Sequence, residues 1–107
     1  MRPTLPLLFV LCLFGSACNP CAERCRVESN KIDGCLDDWG LEWTDFGAHD
    51  VEAFKEQCVA TEQRWLSSLH GDDYRVEAAA CSELTSSLRQ AGDCEATWES
   101  LSGYGAE

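Results

Sequence analysis

Residues 20–39 read PCAERCRVESNKIDGCLDDW and carry three of the chain's eight cysteines. One face of an α-helix drawn through this stretch collects Cys21, Cys25, Ile32, Cys35 and Trp39. Only Glu28 interrupts that face. Asn19 before Pro20 is typical of a helix start, because the asparagine side chain caps the first amides and a proline there loses no hydrogen bond. The stretch predicts a first helix over 20–39, with a break near Gly34 as the alternative.

Three further segments repeat the helical spacing. After Asp50, a second helix has an inward stripe of Val51, Phe54, Cys58, Thr61, Trp65 and Leu69. A third begins at Asp72 or Asp73 and has a stripe of Tyr74, Cys81, Leu84, Leu88 and Ala91. After Asp93, a short helix turns inward Cys94, Trp98 and Leu101. The fold class is therefore all-α, a small disulfide-stapled bundle of three helices plus a short fourth over 20–102, with a flexible tail over 103–107.

The apolar content of this domain is too low for an ordinary hydrophobic core. From Cys18 onward, fourteen of 90 residues are Leu, Ile, Val or Phe, and nineteen acidic residues face seven basic ones, a net charge of −12. Chains of this composition normally stay disordered, so cysteine must supply the missing stability. The same charge excludes a basic nucleic-acid surface, and we expect no nucleic-acid partner.

The first seventeen residues have the composition of an export signal. Residues 5–14 are apolar apart from Pro6, which is too short a run for the ~20 residues that span a bilayer. Gly15, Ser16 and Ala17 then form a small-residue cleavage region. We interpret 1–17 as a signal peptide that directs export.

Ser16, Ala17 and Cys18 resemble the lipobox of bacterial lipoproteins, in which small residues precede a cysteine that is lipidated and becomes the amino terminus. Gly15 stands where that family usually has an aliphatic residue. The resemblance covers residues 1–18. It implies lipidation of Cys18, a lipidated amino terminus over 18–19 and a membrane anchor in the bacterial cell envelope. The alternative is ordinary cleavage after Ala17 and full secretion.

The number of cysteines favours lipidation. Cys12 leaves with the signal peptide, and a lipidated Cys18 leaves six cysteines in the domain, enough for three disulfides in an oxidising compartment. An unmodified Cys18 would leave seven. Helices laid side by side at about 1.5 Å per residue bring certain cysteines to one level. This predicts one of fifteen possible pairings: Cys25 with Cys81, Cys35 with Cys58, and the remaining Cys21 with Cys94.

Residues 37–46 are the most unusual stretch, because four acids and three aromatic residues occur within ten positions. One interpretation is a recognition surface formed by Asp37, Asp38, Trp39, Trp43 and Phe46. The other, which we favour, is an aromatic lid on a small core. If the first helix continues through Gly40, Trp39 and Trp43 share a buried face. An end at Trp39 would let Trp43 and Phe46 turn outward.

The sequence shows no pattern typical of an enzyme. His49 and His70 lie at opposite ends of the second predicted helix, ~30 Å apart. Because six cysteines are assigned to disulfides, we predict no catalytic residue, no metal site and no cofactor.

These observations predict a non-enzymatic, lipid-anchored, exported protein-interaction module. Its expected partners are the membrane, through the amino-terminal lipid, and an envelope or secreted protein. One alternative is a fully secreted, disulfide-stabilised effector or inhibitor. A less favoured one is a small hydrolase that uses the acidic residues of 37–46.

Overall fold

A computed structural model describes residues 19–105, and this part of the chain is all-α with no strand. Its elements are helix α1 (Pro20–Trp39), a 3-10 helix (Trp43–Phe46), α2 (Val51–Ser67), α3 (Gly71–Gln90) and α4 (Cys94–Gly105). The predicted fold class is confirmed. The predicted signal peptide, Cys18 and residues 106–107 lie outside the described residues. Within 19–105, no helix has both the length and the apolar character needed to cross a bilayer.

Three of the four helices start at the capping residues that the sequence predicts. The exception is α3, which begins at Gly71 rather than at Asp72 or Asp73, and whose N-cap residue His70 makes no side-chain capping hydrogen bond. Asn19 Oδ1 accepts hydrogen bonds from the amides of Cys21 at 2.9 Å and Ala22 at 3.3 Å. Asp50 and Asp93 cap α2 and α4 in the same way, each accepting an amide hydrogen bond of 2.8 Å. Each cap satisfies amides that have no partner within the helix.

The first helix has its predicted bounds, whereas the fourth is longer than predicted. α1 passes through Gly34 without a break and ends at Gly40, whose φ of 69° reverses the chain direction in a conformation that glycine adopts without strain. α4 continues to Gly105. Residues 103–105, which the sequence placed in the predicted tail, are thus the last residues of this helix.

α1 is the central helix of the bundle. It packs against α2, α3 and α4, whereas α2 and α3 have few contacts with each other. Its buried residues are small or apolar: Cys21, Ala22, Cys25, Ser29, Ile32 and Cys35. The face predicted for the first helix is thus the surface on which the other helices assemble.

Three disulfides join α1 to each of its neighbours. Cys21 is bonded to Cys81 of α3, Cys25 to Cys58 of α2, and Cys35 to Cys94 of α4. No cysteine among the described residues is free. The assignment of all six cysteines to disulfides is confirmed, but each of the three predicted pairs is wrong.

The pairing differs because the helices are shifted along their axes. The 40–50 connection folds back beside α1, as shown by Trp43 Nε1, which donates to Asp33 at 2.9 Å. α2 therefore starts well before the level at which α1 ends, and Cys58 reaches Cys25 rather than Cys35. α3 is shifted in the same direction, so Cys81 meets Cys21, one turn earlier than predicted.

The remaining predicted pair, Cys21 with Cys94, would join opposite ends of the bundle. α3 runs parallel to α1 with a constant offset of 60 residues, seen in the Cys21–Cys81 disulfide and in Lys31 Nζ, which donates to the Ala91 carbonyl at 3.1 Å. α3 therefore delivers Cys94 to the carboxyl end of α1, next to Cys35.

The core is small and is centred on the disulfides. Leu66 packs against Cys21 and Cys81, and Leu84 and Leu88 of α3 are buried. Three aromatic residues predicted to face inward are instead exposed: Trp65 at 50%, Tyr74 at 40% and Trp98 at 44%. On α2, Leu66 occupies the core in place of its neighbour Trp65.

A cluster of ionised side chains links α1 to α2. The Arg24 guanidinium pairs with Glu28 on α1 and with Glu62 on α2, and all three side chains are mostly buried. Nε of Arg24 and Oε1 of Glu62 are buried and have no hydrogen-bond partner among the described residues. Burial raises the pKa of Glu28, the Arg24 charge opposes that rise, and Glu62 adds to it.

The disulfide pairing predicts which double substitutions are additive. Cys25→Ser and Cys58→Ser should each lower the free energy of unfolding by about 2–4 kcal/mol, and the double variant should be no worse, because both break the same bond. Cys25→Ser combined with Cys81→Ser breaks two bonds and should cost more than either change alone. Denaturant unfolding measures all of these. If Cys25→Ser and Cys58→Ser were additive and Cys25→Ser and Cys81→Ser were not, the result would support a bond between Cys25 and Cys81.

The raised pKa of Glu28 predicts a specific pH dependence of stability. Because the folded state holds this proton more tightly than the unfolded chain, the stability it contributes is present at acidic pH and is lost as pH rises through the raised pKa. Glu28→Gln should therefore reduce the fall in Tm between about pH 4 and pH 7. Glu56→Gln removes the same charge from an exposed site of α2 and is the control. Equal pH profiles for the two variants would contradict this interpretation.

Candidate binding cleft

The aromatic residues of 37–46 separate into two groups on different sides of the α1 carboxyl end. α1 ends at Trp39, so Trp39 and Trp43 do not continue one helical face. Trp43 and Phe46 fold back onto Phe54 of α2, with ring centroids 5.1 Å and 6.4 Å from the Phe54 ring. Their half-buried rings form a small second core beneath the connection. They neither share a buried helix face with Trp39 nor turn freely outward, which were the two predicted geometries.

Trp39 turns to the other side and meets Trp98 of α4. The two indole centroids are 5.0 Å apart in an edge-to-face arrangement. Trp39 Nε1 donates to the Cys94 carbonyl at 3.2 Å, next to the Cys35–Cys94 disulfide. The half-buried Trp39 is thus held by a hydrogen bond, and its ring packs against Trp98, which is 44% exposed.

These two rings line an open cleft of about 620 Å³ between the end of α1 and the start of α4. We call it the Trp39–Trp98 cleft, and its lining consists of Asp38, Trp39, Leu41, Asp93, Cys94, Glu95 and Trp98. Three of these residues carry carboxylates, and none carries a positive charge. The cleft therefore combines indole surfaces with a negative electrostatic potential.

This arrangement suits a cationic ligand better than any other class. An indole face attracts an ammonium or guanidinium group through its quadrupole, and nearby carboxylates add charge attraction and hydrogen-bond acceptors. Asp93 already accepts the amide hydrogen bond that caps α4, which fixes its side chain at the rim. Leu41 supplies apolar surface for the aliphatic part of a lysine or arginine side chain.

The cleft includes only part of the predicted recognition set. Asp38 and Trp39 line it, but Asp37 is exposed outside it, and Trp43 and Phe46 belong to the second core. The sequence did not predict Trp98, Asp93 or Glu95 to be site residues, although all three line the cleft. The signal that would have found them is the Cys35–Cys94 disulfide, since this bond brings the start of α4 against the end of α1.

One other cluster has the composition of a metal site. In residues 19–105, the potential ligand atoms of Cys21, Glu62, Glu77 and Cys81 lie within 4.8 Å of one another. The two sulfurs are bonded to each other, and Glu62 already pairs with Arg24. The cluster therefore lacks the free thiolates and unpaired carboxylates that hold a metal ion.

Comparison with known proteins adds no information about the site. No protein-family model, curated protein or solved structure matches this chain.

The second core predicts a difference between two tryptophans. Trp43→Ala should lower the free energy of unfolding by about 2 kcal/mol, roughly half the cost for a fully buried aromatic residue, because the ring packs on Phe54 and its Nε1 bonds Asp33. Trp65→Ala, at a half-exposed site, is the control and should cost less than about 1 kcal/mol. Thermal and denaturant unfolding compare the two. A stable Trp43→Ala protein would show that this ring does not support the fold.

Proposed function

We propose that the protein is a non-enzymatic, exported and lipid-anchored interaction domain that binds a positively charged segment of another envelope or secreted protein. The observation that carries this proposal is the Trp39–Trp98 cleft, where two indole rings meet three carboxylates and no positive charge. Lysine- and arginine-rich segments combine positive charge with long apolar stems, which matches both features of the cleft.

The position of the cleft also supports binding. Trp98 is 44% exposed although it packs on Trp39, so part of its ring surface is available to a partner. Tryptophan is among the residues most enriched at binding hot spots. Because a disulfide and the Trp39 hydrogen bond fix the cleft floor, a ligand would lose little affinity to ordering of the protein.

Export is supported by the disulfides, because such bonds persist in oxidising compartments. Three disulfides use every cysteine of the described domain, so the remaining cysteine of the mature chain is Cys18. Lipidation would remove this odd thiol. An anchor at Cys18 also places the domain at the membrane, where exported partners are concentrated.

The cleft supports binding better than hydrolysis. It is concave and contains carboxylates, as the hydrolase alternative requires, but Asp38 is the only one that comes from 37–46. Asp93 is committed to capping α4, and neither histidine lines the cleft. A hydrolase would need an acid and a base positioned as a pair.

Binding of a defined cationic peptide tests the proposal. A labelled arginine–glycine repeat peptide should bind the purified protein at physiological salt, whereas a glutamate–glycine peptide should not. Trp98→Ala should weaken binding by about tenfold or more, the effect of losing a hot-spot aromatic residue. Trp65→Ala is the matched control and should bind normally. Fluorescence anisotropy measures both.

A second pair of variants separates the cleft from general charge attraction. Asp38→Asn with Glu95→Gln removes two charges from the cleft, whereas Asp72→Asn with Asp73→Asn removes two from the start of α3. Only the first pair should impair binding. Equal losses would mean that the peptide recognises net charge alone, and the proposed site would be wrong.

A further inference from the structure

Two aromatic residues lie on core-facing stripes of their helices but are exposed. Trp65 is two turns beyond Cys58 on the side of α2 that faces α1, and Tyr74 is two turns before Cys81 on the corresponding side of α3. Trp65 is 50% exposed and Tyr74 is 40% exposed. The described helices leave this apolar surface uncovered.

The register explains why α1 leaves these rings uncovered. α1 begins at Pro20, next to the Cys21–Cys81 disulfide. α3 begins at Gly71, so its first turns extend about 15 Å beyond the level of Cys21. The end of α2 extends past Pro20 in the same direction, since Cys25 is bonded to Cys58 and the two helices are antiparallel. The hairpin formed by α2 and α3 thus projects past the start of α1. We call its uncovered surface, which carries Trp65 and Tyr74, the hairpin face.

The hairpin face lies where the amino terminus of the domain emerges. Asn19 caps α1 at this end of the bundle, and a single peptide bond connects it to Cys18. If Cys18 carries lipid, as proposed above, the tether to the bilayer is two residues long and starts beside this face. The cleft with Trp98 is at the opposite end of α1, about 27 Å away along its axis.

The charge distribution favours the same orientation. Residues 61–76, which include the projecting tip of the hairpin, carry three acidic and two basic residues. The rest of the chain from residue 18 carries sixteen acidic and five basic residues. An anionic bilayer surface repels the strongly acidic part and tolerates the nearly neutral hairpin. Arg64 and Arg75 are exposed there and can meet lipid phosphates.

We propose that the hairpin face rests on the bilayer surface, with Trp65 and Tyr74 in the interfacial layer of the lipid to which Cys18 is anchored. This inference rests on the proposed lipid anchor. Tryptophan and tyrosine are the side chains most enriched at membrane interfaces, because each combines an apolar ring with one polar group.

The hairpin lies along the surface rather than through it. Its tip carries Asp72 and Asp73, which are exposed and costly to place in hydrocarbon. A two-residue tether also forces the bundle to tilt, since an upright bundle would drive the projecting hairpin into the bilayer.

Quenching by brominated lipid tests this orientation. The full-length chain is expressed in a bacterial host, and the membrane-bound product is purified and reconstituted in phosphatidylcholine–phosphatidylglycerol vesicles with bromine-labelled acyl chains. Tryptophan fluorescence should be partly quenched, and Trp65→Phe should abolish that quenching. Trp98→Phe is the matched control, with similar exposure at the far end of α1, and should leave the quenching unchanged. Circular dichroism confirms that both variants are folded.

The mass of the purified protein separates failure of this inference from failure of the anchor. A lipidated Cys18 without quenching of Trp65 overturns the membrane orientation and leaves the anchor intact. An unmodified Cys18 overturns both. Trp65 that is protected from acrylamide in the vesicles but not quenched by brominated lipid would indicate a second copy of the chain on the hairpin face, and would also overturn the proposed orientation.

Discussion

Every helix of this domain is covalently bonded to α1, and the fold depends on that constraint. With so few large apolar residues, the transfer of side chains from water cannot by itself offset the conformational entropy of ordering the described helices. The disulfides reduce the entropy of the unfolded chain, and two of them close loops of about sixty residues, for which the effect is largest. The apolar residues then need only fill the gaps around the sulfurs, as Leu66 does by packing against Cys21 and Cys81.

The same constraint sets where surface is available for binding. Because the helices are shifted along α1 rather than aligned, each end of the bundle leaves aromatic side chains uncovered. At one end Trp39 and Trp98 meet among carboxylates, and at the other Trp65 and Tyr74 lie beyond the first turn of α1. A bundle with flush helix ends would have buried more of these rings and would have offered neither surface. The axial shift therefore connects the disulfide pairing to both proposed contacts.

The sequence predicted the helices well because their signals are local. Capping by Asn19, Asp50 and Asp93 and the helical spacing of the cysteines act within a few residues of chain. The disulfide pairs and the cleft depend instead on the register between helices. That register is set by the way the 40–50 connection folds back to place Trp43 beside Asp33, and helical spacing contains no information about such a contact. Trp98 was therefore predicted to face inward, whereas it is exposed and forms half of a cleft.

The attachment of three helices to one by disulfides determines what proteolysis can do to the domain. The connections 40–50, 68–70 and 91–93 are the segments between helices that a protease would reach first. Each cut would separate two pieces of the chain in sequence, but both pieces would remain bonded to α1 through a disulfide. Even a molecule cut at all three connections would migrate as one species until a reductant was added. Such a nicked protein would keep its cleft and its amino terminus together, so that proteolysis would neither release a fragment nor detach the domain from the proposed anchor.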